Sequence, residues 1–426
     1  MSALVRLLKS RRFGPLFATQ FLGAFNDNIY KNAIVILIAY RLGAESGLPA
    51  HLLVTLAAGI FILPFFLLSA TAGELADRED KARLIRWVKL AEIVIMALGG
   101  VAFWLADVWL LLAVLFLMGV HSAFFGPLKY GILPDHVGRD DLVPANGLIE
   151  ASTFIAIIGG TLLGGILVLE AGGLRLVPGL CVLVAIIGYM ASRSIPAALP
   201  QAEGGKLSGN IFVASGRILR ASFRDPAIRM SILAISWFWF VGASWLAQVP
   251  NLAKGTFAAD ETVAVLFLVL FAVGIAVGSL LAAGILRGRV RVGFAAVSAG
   301  ALGVLSLGLP WAMGLVPAGS ADLRSAAEFL AAPGGGIVAV LLTLVAVAGG
   351  AFAVPLYALI QTRAPDGERA RVIAALNIVN AAAMVLSAVA SAVALALGAT
   401  VAEILMAAGA TGLLVMLLLW RASRAA

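Results

Sequence analysis

Residues 25–32 read FNDNIYKN, and five of the eight are polar or charged: Asn26, Asp27, Asn28, Lys31 and Asn32. An acid can hold a cation or carry a proton, an ammonium can hold an anion, and amides both donate and accept. At about 100° per residue in a helix, Gln20, Asp27 and Lys31 fall within about 40° of arc. Asn28 and Asn32 widen this stripe to roughly 140°, while Asn26 points elsewhere, toward a neighbouring helix. Asp27 and Lys31 are spaced i, i+4, so they can also pair with each other. Two roles follow. Either the stripe lines a cavity and meets a ligand, or the pair neutralises itself and orients its helix.

The stripe sits inside an apolar run from Gly14 to Tyr40. Of the 426 residues, 62% are hydrophobic and 12% charged, far from the balance of a water-soluble domain. Backbone groups in lipid must pair internally, so long apolar runs mean helices, and these runs lack the alternation of barrel strands. Twelve spans are expected, at about 14–40, 51–72, 84–105, 108–128, 146–170, 174–192, 227–250, 261–286, 292–314, 335–359, 371–397 and 401–420. The runs nearly merge near 97–120 and 385–415, so the count rests on breaks there. The net charge of +8 comes from short loops, which excludes a nucleic-acid partner and fits the positive-inside rule. With the N-terminus cytoplasmic, the external loops hold only Arg41, Arg175, Lys254 and Arg324, and Lys31 is within a span. The other 25 of the 30 basic residues are cytoplasmic, so both termini are expected inside. The N-terminal run is too long for a signal peptide and reads as an uncleaved span. The single Cys181 has no partner for a disulfide, and no metal-ligand cluster or cofactor motif is present, so none is expected.

Segment 193–226, with Pro196, Pro200, Gly204, Gly205 and the basic run Arg217, Arg220, Arg224, divides the chain into 1–192 and 227–426. The halves echo each other. AFFGPLKYGILPDHVGRD at 123 matches AFAVPLYALIQTRAPDGE at 351, aligning Pro127 with Pro355. The loop GELADREDKAR, residues 73–83, resembles the major facilitator signature between helices 2 and 3, through Gly73, Asp77, Arg78 and Lys81. That resemblance implies a gating role for the four residues. Asp80 replaces the usual second glycine, which puts the tight turn there in question. The expected architecture is an all-α membrane protein of the major facilitator fold, with twelve transmembrane helices in two six-helix halves and a cytoplasmic linker. Repeats of this kind place a substrate site between halves near the midplane.

Four segments carry a narrower resemblance: QFLGAFNDNIYKNAIVIL (20–37), FFGPLKYGILPDHVGRDDLVPANGLIEASTF (124–154), QVPNLAK (248–254) and RARVIAALNIVNA (369–381). They look like the bacterial lysophospholipid transporter family of the major facilitator superfamily. The resemblance implies a flippase that moves lysophosphatidylethanolamine-type lipids across the inner membrane for re-acylation, and a monomer is expected. Some relatives are fused to the acyltransferase. This chain stops after its last span, so a separate acyltransferase is expected downstream.

The residues suit such a cargo. Lys31 can take a phosphate and Asp27 an ammonium. In the seventh span Trp237, Phe238, Trp239 and Phe240 offer aromatic surface for an acyl chain. Gln248, with Asn251, and Asn377, with Asn380, are further candidates for the substrate path. Lys129 and Glu150 are placed at the cytoplasmic mouth, and His121 lies within span four.

Two rivals stand beside this reading. His136 and Asp141 fit H-x-x-x-x-D, the spacing of a base-and-orienter pair in glycerolipid acyltransferases. The loop that holds them has no room for an acyl donor, and the accompanying F-P-E-G block is absent. The second rival is a proton-coupled exporter of drugs or other small amphiphiles, with Asp27 as its proton carrier.

Overall fold

Capping side chains set where many of the helices begin. In the computed structural model, which describes residues 3–42, 50–200, 208–317 and 323–425, Asp80 accepts from the Ala82 amide at 2.9 Å. Asp107 accepts from Leu110 at 2.7 Å, and Asp260 from Thr262 at 2.9 Å. Each carboxylate satisfies a first-turn N–H that the helix itself cannot.

Twelve long helices follow, close to the expected spans: α1 Gly14–Leu37, α2 Ala50–Arg78, α3 Lys81–Leu105, α4 Val108–Gly131, α5 Leu142–Leu169 and α6 Gly173–Arg193. After the linker come α7 Pro226–Asn251, α8 Glu261–Leu286, α9 Val292–Leu307, α10 Gly335–Arg363, α11 Arg369–Ala396 and α12 Val401–Ala425. Among the described residues, eleven stretches, all the long helices but α1, are long and apolar enough to cross a membrane. The polar stripe sets α1 apart. The two places where runs nearly merge are broken by left-handed residues, Ala106 (φ 52°) before α4 and Gly398 (φ 89°) before α12. Pro127 and Pro355 lie inside α4 and α10, the fourth long helix on each side of the linker. The linker carries its own helix, Ile211–Ser222; Gly204 and Gly205 lie outside the described residues. α1 and α7 each run on into a wide π-helical turn, Ile38–Leu42 and Leu252–Thr256.

Large apolar side chains cover the outside, Trp104 at 78% exposure and Ile285 at 62% among them, as lipid contact requires. The molecule is a multi-pass membrane protein. Since lipid is as apolar as leucine, its helices associate through close packing of small residues. Gly160 and Gly164 of α5 meet the α1 backbone: a Cβ on them would lie 2.5 Å from the Phe25 carbonyl oxygen and 2.3 Å from that of Ile29. Gly278 of α8 is packed in the same way on the α10 backbone at Val347. Gly164→Ala should therefore cost about 1–3 kcal/mol by overpacking. Gly179→Ala on α6, with nothing within 4 Å of the added carbon, should be neutral. Thermal unfolding in detergent checks the contrast.

The chain divides into two compact units. One comprises Met1–Ala145, Ala156–Arg229 and Ile360–Ala381; the other Asn146–Ile155, Met230–Leu359 and Ala382–Ala426. The first unit's core gathers Ile29, Tyr30, Met96, Phe103 and Met118; the second's gathers Trp245, Phe257, Phe267 and Phe329.

Candidate functional site

The α1 stripe is held from behind. Asn26 donates through Nδ2 to Glu92 Oε1 of α3 at 2.7 Å, so it does turn to a neighbouring helix. Glu92 also pairs with Lys89, one turn earlier on α3, and its Oε2 lies 3.2 Å from His121 Nε2 of α4. All four are buried: Asn26 and Glu92 at 0% exposure, Lys89 at 1% and His121 at 5%. Two glycines make space for the lysine. Its Nζ would lie 3.2 Å from a Cβ on Gly23 of α1 and 3.1 Å from one on Gly188 of α6. His121 stacks on Phe125 one turn along. A buried charge must be paired and hydrogen-bonded to be tolerated. This cluster meets that need with groups from α1, α3 and α4.

The outer residues of the stripe are half-buried: Asp27, Lys31 and Asn32. Asp27 and Lys31 do not form the ion pair that their spacing allows. Asp27 accepts from the Ser122 hydroxyl of α4. Lys31 donates to Asn28 Oδ1 at 3.0 Å and sits 5.5 Å over the Phe61 ring of α2. Each charge has a nearer partner than the other, which overrides the local i, i+4 rule. Asn32 donates to Thr161 of α5 at 2.9 Å, and Asn28 to the Ala24 carbonyl at 2.8 Å. Gln20 is wholly buried, at 1% exposure, and so faces protein.

A second polar network joins the ends of α2, α4 and α10 to the starts of α3 and α11. Asp77 caps α11, accepting from the amides of Ala370 (2.9 Å) and Arg371 (3.1 Å) and from Arg371 Nε (3.0 Å). Gly73 lets the helices meet; a Cβ there would lie 2.6 Å from that of Ala374 and 2.9 Å from the Ala370 oxygen. Lys81 pairs with Asp135 at 3.1 Å, and Arg369 reaches the same carboxylate at 3.5 Å. Gln361 donates to the Tyr130 carbonyl at 3.1 Å. Arg78, the last residue of α2, is half-exposed. The turn placed in question by Asp80 is sound. Asp80 has φ −60°, a value open to any residue, and its carboxylate also accepts from Ala198 N at 3.0 Å.

The other candidates are scattered. Neighbouring residues of the aromatic run point about 100° apart and meet different partners. Trp237 donates to Thr411 Oγ1 at 2.7 Å and meets Phe352 edge-on, whereas Trp239 stacks on Phe154. Phe238 is buried against Phe352 and Trp239. Gln248 is buried and accepts from Asn251 at 3.0 Å. Asn377 is half-buried, with Nδ2 packed against Gly126. Lys129 lies 4.8 Å over the Tyr130 ring. Glu150, expected at a mouth, is two turns into α5 and 2% exposed.

Asp141 pairs with Arg6 at 2.5 Å. Burial pushes the His136 imidazole below the ordinary histidine range.

Sequence reasoning saw His121 but missed Lys89 and Glu92. The signal was two opposite charges within one apolar run, which in a membrane helix marks a buried pair.

A family model described as Major Facilitator Superfamily matches residues 16–323. The lysophospholipid transporter LplT of Yersinia enterocolitica is 29% identical over 392 residues, covering 89% of this chain and 86% of that one. LplT of Yersinia pestis is 31% identical over 284 residues, 64% of each chain. Among solved structures, the fucose:proton symporter of E. coli superposes with a TM-score of 0.72 at 14% identity, over 99% of both chains. A bacterial homologue of the iron transporter ferroportin, in an outward-facing state, gives 0.67 at 18% identity, over 95% of this chain and 99% of the other. Identities this low speak for the fold alone.

Proposed function

We propose a lipid cargo for this protein, which belongs to the Major Facilitator Superfamily: it moves lysophospholipids across the bacterial inner membrane, with both termini cytoplasmic. The observation that carries the reading is the half-buried stripe of Asp27, Lys31 and Asn32 in the middle of α1, held by the buried Lys89–Glu92–His121 cluster. Charges at that depth are costly and face a cavity or a partner. Here the partners are light, a hydroxyl on Asp27 and an amide on Lys31, so a zwitterionic head can displace them. In this reading Lys31 meets the phosphate and Asp27 the ammonium. Curated relatives named as lysophospholipid transporters over most of the chain support this cargo.

The cargo's tail shapes the mechanism. Each CH₂ transferred from an apolar setting to water costs about 0.8 kcal/mol. A long acyl chain therefore stays against apolar walls or in the bilayer while its head follows the polar stripe. The path opens sideways to lipid, and lipids with two chains move poorly. The end network of Gly73, Asp77, Lys81 and Arg371 acts as the gate, closing when α11 is capped by Asp77 and releasing when that cap is lost. The protein works as a monomer, and an acyltransferase consumes the lipid it delivers.

A liposome assay with labelled lysophosphatidylethanolamine in one leaflet tests the proposal. The expected result is protein-dependent movement, competed by other lysophospholipids but not by sugars, and reduced at least tenfold in Asp27→Ala. Movement no faster than in empty liposomes, together with active transport of a soluble drug, would leave the exporter reading standing.

A further inference from the structure

We propose that the linker helix Ile211–Ser222, with the two residues after it, binds anionic phospholipid head groups in the leaflet on its side of the membrane. The helix has three faces. Ala214, Ile218 and Ser222 recur every four residues and are buried. That seam is fixed to α2 through the Arg217–Glu74 ion pair and through Glu74 Oε2, which accepts from Ser208 N at 3.1 Å. Measured from Ala214 around the helix, Leu219, Phe212 and Phe223 lie between about 140° and 180°. Phe212 is 67% exposed, and Phe223 keeps helical dihedrals. Arg220 and Arg217 lie between about 240° and 300°, and Arg224 follows.

An apolar stripe bordered by arginines, on a short helix, is the pattern of a segment that lies in a membrane interface. Chain connection sets the place: α7 begins at Pro226, two residues after Arg224, so the helix ends where a stretch long and apolar enough to cross a membrane begins. The charges fix the lipid. Arg217 is taken by Glu74, and Asp225 faces Arg363 at 4.0 Å. Arg220 and Arg224 make no ion pair among the described residues, and both are exposed. Guanidinium groups bind phosphate in a two-pronged fashion, and basic residues at this level are drawn to anionic leaflets. The seat also touches the gate. Glu74 adjoins Gly73, which packs on α11, so a helix held by the leaflet holds Arg217 beside that contact.

The test uses the full chain in vesicles and does not depend on the cargo. Gly216→Cys puts one thiol next to the apolar stripe at a position with open space around it. The native Cys181 is buried, so a bimane label goes to the new site. Brominated phosphatidylglycerol should quench the label several times more than aqueous iodide does. With Arg220→Gln and Arg224→Gln added, or with brominated phosphatidylcholine in place of the brominated phosphatidylglycerol, lipid quenching should fall at least threefold. Strong iodide quenching without lipid quenching would overturn the proposal. So would shielding from both quenchers, which would mean a second protein chain over the stripe. Unchanged lipid quenching in the double glutamine variant would overturn the anionic preference.

Discussion

Glu92→Gln is expected to lower the unfolding temperature by about 5–10 °C, more than any other single change on α1, α3 or α4. The substitution keeps the shape of the side chain and an acceptor for Asn26. What it removes is the counter-charge of Lys89, which is 1% exposed and cannot swing to water. Removing one partner of a buried pair costs about 3–5 kcal/mol, because the other charge is left alone. Removing both charges is often neutral. Lys89→Met combined with Glu92→Gln should therefore recover most of the lost temperature. If single and double variants melt alike, the cluster is not held by its charges. The recovered double variant also isolates the role of the stripe. Asp27 and Lys31 are untouched in it, so transport should persist.

Asp77→Ala should leave the protein folded and open the end of α11. Three hydrogen bonds to one carboxylate are lost, two from the first backbone amides of that helix. Losing an N-cap together with a charge-assisted bond amounts to about 2 kcal/mol, or roughly 30-fold in the open population. Hydrogen exchange at the Ala370 and Arg371 amides should speed up by about that factor, with lipid movement impaired in parallel. Asp77→Asn keeps one good acceptor and should fall between. Lost transport with unchanged exchange would mean that Asp77 does something other than cap.

The helices were legible because their signals are local. Apolar runs give the spans, and Asp80, Asp107 and Asp260 mark starts within the residues that precede them. The orientation of Asn26 followed from helix geometry alone. Partners of charged groups were not legible, because they come from other helices. Spacing brings Asp27 to Lys31, but folding brings Ser122 to one and leaves Asn28 with the other. Glu92 and Lys89 gain their meaning only when α1, α4 and α6 close over them. The doubt over Asp80 came from expecting a glycine conformation that the backbone does not adopt. The partners of the aromatic run were not legible either. Trp237 turns to Phe352 and Thr411, whereas Trp239 stacks on Phe154.

The wide turns after α1 and α7 each hold one residue more per turn than an α-helix uses. Such a turn absorbs a change in chain length. Deleting one residue within Ile38–Leu42 tightens it to an ordinary turn and leaves everything before it in register. Deleting one residue at Asn28 instead swings the earlier part of α1 by about 100° relative to the later part and parts the stripe from its neighbours. Natural relatives can thus differ in length at the ends of these two helices at little cost, while the stretch between Gln20 and Asn32 tolerates substitution far better than insertion or deletion.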